Sequence, residues 1–506
     1  MMPRLWFFIQ QRLSLALPAG SLRARLAGGA FWSTVGAVAT QGSSTLAAII
    51  TARFLGDDGF GELAMVRNTL TMFAAFAGLG LGLTANKYLA ETRTADPGRA
   101  GRILGLSYAM ACGSGLLMAV LAFAFAEPLA GRTMANEGLA PYLRLSAPIL
   151  LTGTLNGVQI AALAGLEAFR RSSLWTTAVA LTGSVLTVWG VAVAGISGAL
   201  WAGLISGVIG FIVLERVLAA ETRRAGVRVT FRGIGQELPL IWSFALPSGL
   251  SGLMVSPVTW GAAAMLVNRP GGYGEMGVFN AANQWRNLVL FVPVAVGQVV
   301  LPMLSNLQAA GERDRYVRAL KFNGALNLLV CLAAALPVIV ASEWIMRTYG
   351  PDFRGRWAVL VLLVLSGALQ AVIGVVGQAL ASLGRMWWGL ILNAAWAAEL
   401  LAATWFWLPL GATGLALAYL VSYLLHLVQV GCYTVWVLRY DLAIGERRGF
   451  DVGGSGGVGP TGPLPPAAEP EAAVEAVVAS GARARNAVNP VNPARGVGPA
   501  APQDST

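Results

Sequence analysis

Apolar runs of about twenty residues follow one another along most of this chain, each closed by a short cluster of glycine, proline or charged residues. A hydrocarbon core about 30 Å thick demands that length of a helix rising about 1.5 Å per residue. The pattern predicts spans near 28–52, 60–84, 103–126, 143–166, 172–194, 196–218, 239–267, 276–304, 321–342, 357–383, 387–408 and 412–438. Gly195 and Ser197 interrupt the run at 194–197 only slightly, so the fifth and sixth spans are divided by the weakest break in the series. The expectation is an all-α polytopic membrane protein of about twelve transmembrane helices.

Both flanks depart from this pattern. Residues 1–27 mix Trp6, Phe7, Phe8 and Ile9 with Arg4, Arg12, Arg23 and Arg25. That apolar run is too short and too interrupted for a cleaved signal core, and it predicts a cytoplasmic or interfacial arm. The segment 441–506 is rich in glycine, proline and alanine without an apolar period, which predicts a disordered cytoplasmic tail.

Composition narrows the class. With 56% hydrophobic and 12% charged residues, the chain lacks the polar surface to cover a soluble globule. The net charge of +11 would suit nucleic acid, but the cations sit in alternate loops rather than on one face. One set of loops holds Lys87, Arg93, Arg99 and Arg102, then Arg170 and Arg171, then Arg216 to Arg232, then Arg313 to Lys321, while the other set is sparse. By the positive-inside rule the rich set is cytoplasmic, and an even number of spans places both termini there. Cys112, Cys331 and Cys432 lie in apolar segments at no metal-ligand or disulfide spacing.

An internal repeat is visible. Gly59-Phe60-Gly61-Glu62-Leu63 recurs as Gly272-Tyr273-Gly274-Glu275-Met276, a shift of 213 residues from position 59 to position 272. The same shift carries the basic loop ending at Arg102 onto the loop containing Arg315. Two six-helix halves follow, 28–238 and 239–440, with the same topology and a central cavity between them.

Candidate chemistry lies inside the spans. Arg67 sits roughly 10 Å below the start of the second span, on a stripe with Thr71, Ala74, Gly78 and Gly82 that should face protein or water. In the repeat-related eighth span Asn280, Asn283, Gln284, Arg286 and Asn287 crowd one end, with Arg286 roughly 15 Å deep. Two arginines beside amides would make a cationic, hydrogen-bonding cavity, suited to phosphate and to sugar hydroxyls. The alternative is that both arginines reach the interface or pair with Glu62 or Glu275 and merely fix the helices. Glu399 and His426 are the other ionisable groups within spans, and either could carry a coupling ion or serve as a satisfied structural group. Lys87 and Glu91, in Lys87-Tyr88-Leu89-Ala90-Glu91, are candidates for a cytoplasmic gate or for a plain membrane-surface cluster. There is no Walker-type phosphate loop, and a single histidine excludes multi-histidine metal sites, so no cofactor, metal or catalytic residue is expected.

Ala52-Arg53-Phe54-Leu55-Gly56, followed by Phe60-Gly61 and then by Lys87-Tyr88-Leu89-Ala90-Glu91, resembles the N-terminal hairpin of bacterial polysaccharide and O-antigen flippases. These belong to the multidrug/oligosaccharidyl-lipid/polysaccharide exporter superfamily. The resemblance is sharpest over about residues 28–105 and extends in architecture to about 440. It implies movement of an undecaprenyl-pyrophosphate-linked oligosaccharide across the bacterial inner membrane by alternating access, driven by an ion gradient or the membrane potential. It also implies that arginines of the second and eighth helices, here Arg67 and Arg286, contribute to a cationic cavity. Polysaccharide polymerases or other assembly proteins would be its partners. The peptidoglycan-precursor branch places an Arg-Asp pair on the first helix, where this chain has Ser43-Ser44-Thr45, a departure that favours a surface glycan. A multidrug exporter of the same superfamily is the alternative, and its cationic substrates would call for carboxylates. A membrane enzyme of glycan assembly is disfavoured by short loops.

Overall fold

Helices carry most of the described residues, and several of their breaks fall at glycines. The computed structural model describes residues 22–78, 80–240, 253–310, 312–383 and 386–451. In order, the main helices are α1 (Leu22–Gly78), α2 (Leu81–Thr92), α3 (Pro97–Ala124), α4 (Ala140–Gly165), α5 (Phe169–Arg224) and α6 (Val255–Val267). They are followed by α7 (Gly272–Ala309), α8 (Arg313–Val340), the short α9 (Ser342–Tyr349), α10 (Trp357–Ser382), α11 (Met386–Trp407) and α12 (Gly411–Asp451). Among the described residues, seven helical stretches are long and apolar enough to cross a membrane. The chain divides into a body, Met1–Leu442, and a second unit, Ala443–Thr506, whose described part is the end of α12.

Two of the longest helices are bent back on themselves. Gly56 in α1 adopts φ 70° and ψ −175°, and Gly195 in α5 adopts φ 57° and ψ −135°. A side chain would be strained at either position. In α5 the two arms then close tightly: a methyl group on Gly190 or Gly198 would overlap the carbonyl oxygen of the other. Lipid supplies no hydrophobic drive between helices, so such small-residue contacts are how their backbones gain dispersion energy. The slight polar break read at 194–197 is therefore a full reversal, made by one glycine and held by two others.

The repeated pentapeptides meet. A methyl group on Gly61 would strike the backbone of Tyr273 and Gly277, and one on Gly277 would strike the backbone of Asp57. Phe60 caps this crossing from the side, with its ring 6.3 Å from Tyr349 and 6.4 Å from Phe353. Tyr273 donates its hydroxyl to the Met134 carbonyl at 2.7 Å, and Arg53 Nε donates to the Thr348 carbonyl at 2.6 Å. Glu62 accepts from Asn136 Nδ2 at 2.9 Å. Its counterpart in the repeat, Glu275, accepts from Arg356 and, at 2.7 Å, from the Ala412 amide at the start of α12. Each repeat glutamate thus ties its own helix to a neighbouring loop or helix start.

Three expected boundaries shift. The second span, expected to reach residue 84, ends at Gly78, and the chain restarts as α2 after Gly80 at φ 73°. Gly82 of the expected stripe therefore belongs to a different helix from Arg67. The first helix begins at Leu22, within the expected N-terminal arm, and the last continues to Asp451, past the expected start of the tail. Residues 1–21 of the arm, 241–252 of the seventh span and 452–506 of the tail lie outside the described residues.

Candidate functional site

A cavity of about 400 Å³ opens beside the bent α1. The first arm of α1 presents Thr40, Ser44 and Thr51, spaced as one face of a helix. Arg67 comes from its second arm, Ser184 and Thr187 from the first arm of α5, Ser206 from the second, and Gln284 from α7. Among the described residues, six hydroxyls, one amide and one guanidinium line the space, with no carboxylate. The small residues Ala47, Ala48, Gly183 and Gly203 between them make room. Arg67 is exposed and lines this cavity. Among the described residues its guanidinium has no carboxylate partner. Thr51 is 1% exposed, and its hydroxyl also has no hydrogen-bond partner among the described residues.

Arg286 lies elsewhere. It is 6% exposed and faces α10 and α12 rather than the cavity. Its Nε donates to Ser366 Oγ at 3.2 Å, and its terminal nitrogens donate to Asn283 Oδ1 at 3.3 Å, Gln370 Oε1 at 2.5 Å and the Tyr423 hydroxyl at 3.3 Å. The guanidinium carbon is 5.5 Å from the ring centroids of both Tyr419 and Tyr423. Neutral acceptors and ring faces hold this cation where a carboxylate would be the usual partner. The eighth-span cluster therefore splits by helical register. Gln284 reaches the cavity, Asn283 supports Arg286, Asn280 is half-buried and Asn287 is exposed. The expected convergence of two arginines becomes Arg67 with Gln284 in one cavity, and Arg286 in a separate polar nest. Neither arginine pairs with Glu62 or Glu275, whose acceptors are taken up by Asn136, Arg356 and Ala412.

Residues 26–308 match the family described as polysaccharide biosynthesis protein. The chain belongs to that family. EpsE, the EPS I polysaccharide export inner membrane protein of Ralstonia solanacearum, is 31% identical over 193 residues, 37% of this chain and 44% of that protein. The match spans less than half of EpsE. ExoT, the succinoglycan biosynthesis transport protein of Rhizobium meliloti strain 1021, is 26% identical over 368 residues, 71% of this chain and 70% of that one. The lipid III flippase of Escherichia coli K12 is 22% identical over 344 residues, covering 64% and 76% respectively. Among solved structures, an inward-facing multidrug resistance MATE family transporter of the MOP superfamily superposes with a TM-score of 0.63 at 16% identity, covering 79% of this chain and 96% of that one. The lipid II flippase MurJ, in an inward closed conformation, superposes at 0.62 and 13% identity, covering 84% and 93%. The fold is thus the all-helical, polytopic one shared by MATE and MurJ.

The remaining candidates of this family member fall at two places. On α11 and α12, Gln429 Nε2 donates to Glu399 Oε1, and the His426 ring lies 6.4 Å from that of Trp396. Glu399 Oε2, Gln429 Oε1 and His426 Nδ1 are buried without a hydrogen-bond partner among the described residues. Lys87 and Glu91 are both exposed on α2, with the Lys87 ammonium 5.0 Å from the Tyr88 ring centroid. Sequence reasoning missed the hydroxyls of α1 and α5. The signal was present as Ser and Thr at helical spacing over 40–51 and 184–187, the same kind of stripe that drew notice around Arg67.

Proposed function

We propose that this chain is a flippase moving an undecaprenyl-pyrophosphate-linked oligosaccharide repeat unit, of surface-polysaccharide type, across the inner membrane by alternating access. The observation that carries the reading is the lining of the cavity: among the described residues, one guanidinium, one amide and six hydroxyls without a carboxylate. A pyrophosphate asks for paired donors from a planar cation, and sugar hydroxyls ask for neutral groups that both donate and accept. Relatives named as a lipid III flippase and as polysaccharide transport proteins support this choice. The same lining argues against a cationic drug as cargo.

In this reading twelve crossings form two halves, 28–238 and 239–440, with both termini cytoplasmic. The reversals at Gly56 and Gly195, which turn two long helices into four arms, support that count. Arg67 and Gln284 bind the head group, while Arg286, with Asn280, Asn283 and Asn287 on the same helix, forms a second cationic station for the opposite-facing state. Glu399 with Gln429 and His426 carries the coupling ion, because a half-buried carboxylate whose second oxygen is buried without a hydrogen-bond partner among the described residues gains by taking up a cation. If so, Glu399→Gln uncouples transport from the imposed pH or cation gradient. An unaltered gradient dependence would remove Glu399 from the mechanism.

Deleting the gene in its native host and sampling the lipid-linked glycans of each leaflet tests the main reading. The expected result is a finished repeat unit stranded on the cytoplasmic leaflet, with surface glycan lost. Normal glycan with altered drug sensitivity would overturn it in favour of the drug exporter.

A further inference from the structure

The outer side of the α5 hairpin carries a second hollow that transport through the central cavity leaves unused. A groove of about 380 Å³ lies at the open end of the hairpin, where Arg171 and Trp175 of the first arm come beside Val213, Arg216, Val217 and Glu221 of the second. Trp175, Val213, Val217 and Ala220 supply its apolar lining. Beyond it the hairpin keeps an exposed apolar wall, with Val185 68% and Trp189 64% exposed. The opposite face of the same arm presents Gly183, Ser184 and Thr187 to the central cavity. That division of bulky apolar from small polar residues identifies the wall as the lipid-facing side.

Charge at the groove is unbalanced. Glu221 accepts from Arg171 and also, at 2.9 Å, from Arg224, so one carboxylate serves two guanidiniums. Arg216 is exposed, and among the described residues its side chain has no hydrogen-bond acceptor or carboxylate partner. The groove therefore combines excess positive charge at the end of two helix arms with an apolar lining, beyond which the first arm stays apolar and exposed. An occupant that satisfies both has an anionic head and a long apolar tail. We propose that this groove binds an acidic phospholipid, with its phosphodiester oxygens held by Arg216 and Arg171 and an acyl chain lying along Trp175 and Val213. Aliphatic chain on an indole face and phosphate on guanidinium are each ordinary contacts at a membrane interface.

The test uses the full-length protein reconstituted in phosphatidylcholine vesicles doped with brominated lipid. The readout is the fluorescence of Trp175, taken as wild type minus Trp175→Phe. Brominated phosphatidylglycerol is expected to quench this component at a lower mole fraction than brominated phosphatidylcholine does. Arg216→Gln is expected to weaken the preference about fivefold, the factor one basic residue contributes beside an anionic headgroup. Equal quenching of the variant and wild type by brominated phosphatidylcholine shows that the variant is folded and inserted. Should the variant fail to insert, wild type at raised salt is the second measurement, where screening should erase the preference. Equal quenching of wild type by the two lipids would overturn the proposal, as would a preference that survives both Arg216→Gln and high salt. Displacement of the quencher by a polyprenyl phosphate but not by unbrominated phosphatidylglycerol would also overturn it, assigning the groove to the transported lipid instead.

Discussion

Two arginines with similar sequence surroundings have different physical situations, and they should respond differently to the same change. Arg67 faces a cavity and has no carboxylate partner among the described residues. Arg67→Ala should leave the melting temperature in detergent nearly unchanged, since such accessible substitutions usually alter stability by no more than about 0.5 kcal/mol. It should weaken head-group binding and export about tenfold to a hundredfold, the worth of a hydrogen bond to a charged group. Arg286 is held by Ser366, Asn283, Gln370 and Tyr423. Arg286→Ala strands those buried acceptors and should cost about 1–3 kcal/mol, read as a lowered melting temperature. Equal melting of the two variants would contradict the separation of their roles. The sequence announced both arginines as charges that need a reason, because spacing alone reveals a cation inside an apolar run. It did not reveal that Arg286 turns away from Gln284, because three of the four groups that hold it lie 80 to 137 residues further along the chain. Helical register hinted at the split, since positions 284 and 286 lie on different faces of a helix.

At the scale of single elements, apolar run length was a sound guide to where helices lie and a poorer guide to where they turn. A lone glycine inside an apolar stretch looks alike in sequence whether it lets two helices touch, as Gly198 does, or reverses the chain, as Gly195 does. Only φ distinguishes them. The same ambiguity hid the end of α1 at Gly78, because Gly78 and Gly80 sit within a run that continues apolar to Leu83. The contact of Gly190 with Gly198 makes a sharp prediction about α5. Gly198→Leu must push the arms apart, and overpacking of this kind costs about 1–3 kcal/mol or more. The expected result is a lower melting temperature together with reduced export, because the displaced arms carry Ser184, Thr187 and Ser206 of the cavity wall. Gly113→Leu makes a control for added side-chain bulk within a helix, since nothing lies within 4 Å of a methyl group there. If Gly198→Leu melts no lower than that control, the close approach is not a stabilising contact.

For the molecule as a whole, α1 and α7, which belong to different halves in the proposed arrangement, press backbone against backbone where they cross at the repeated pentapeptide. Gly61 packs on Tyr273 and Gly277, and Gly274 faces Asp57, so the two copies of the repeat contribute reciprocally. The alternating access proposed above, through a cavity that receives Arg67 from α1 and Gln284 from α7, requires this crossing to part in one of the two states. Glycine contacts suit that duty, since they are held by dispersion over a short stretch and leave no buried charge unpaired when they separate. A covalent link across the crossing should therefore arrest transport without harming the fold. A Cβ on Gly274 would lie 3.2 Å from Asp57 Cγ, close enough for an Asp57→Cys, Gly274→Cys pair to approach disulfide geometry after small adjustment. In a background with Cys112, Cys331 and Cys432 replaced by alanine, oxidation should form the bridge and abolish export, and reductant should restore it. The melting temperature should not fall on oxidation, because the link joins residues already in contact. Undiminished export by the oxidised, fully cross-linked protein would mean that the halves do not separate here, and that the cavity opens by movement of α2 to α5 alone.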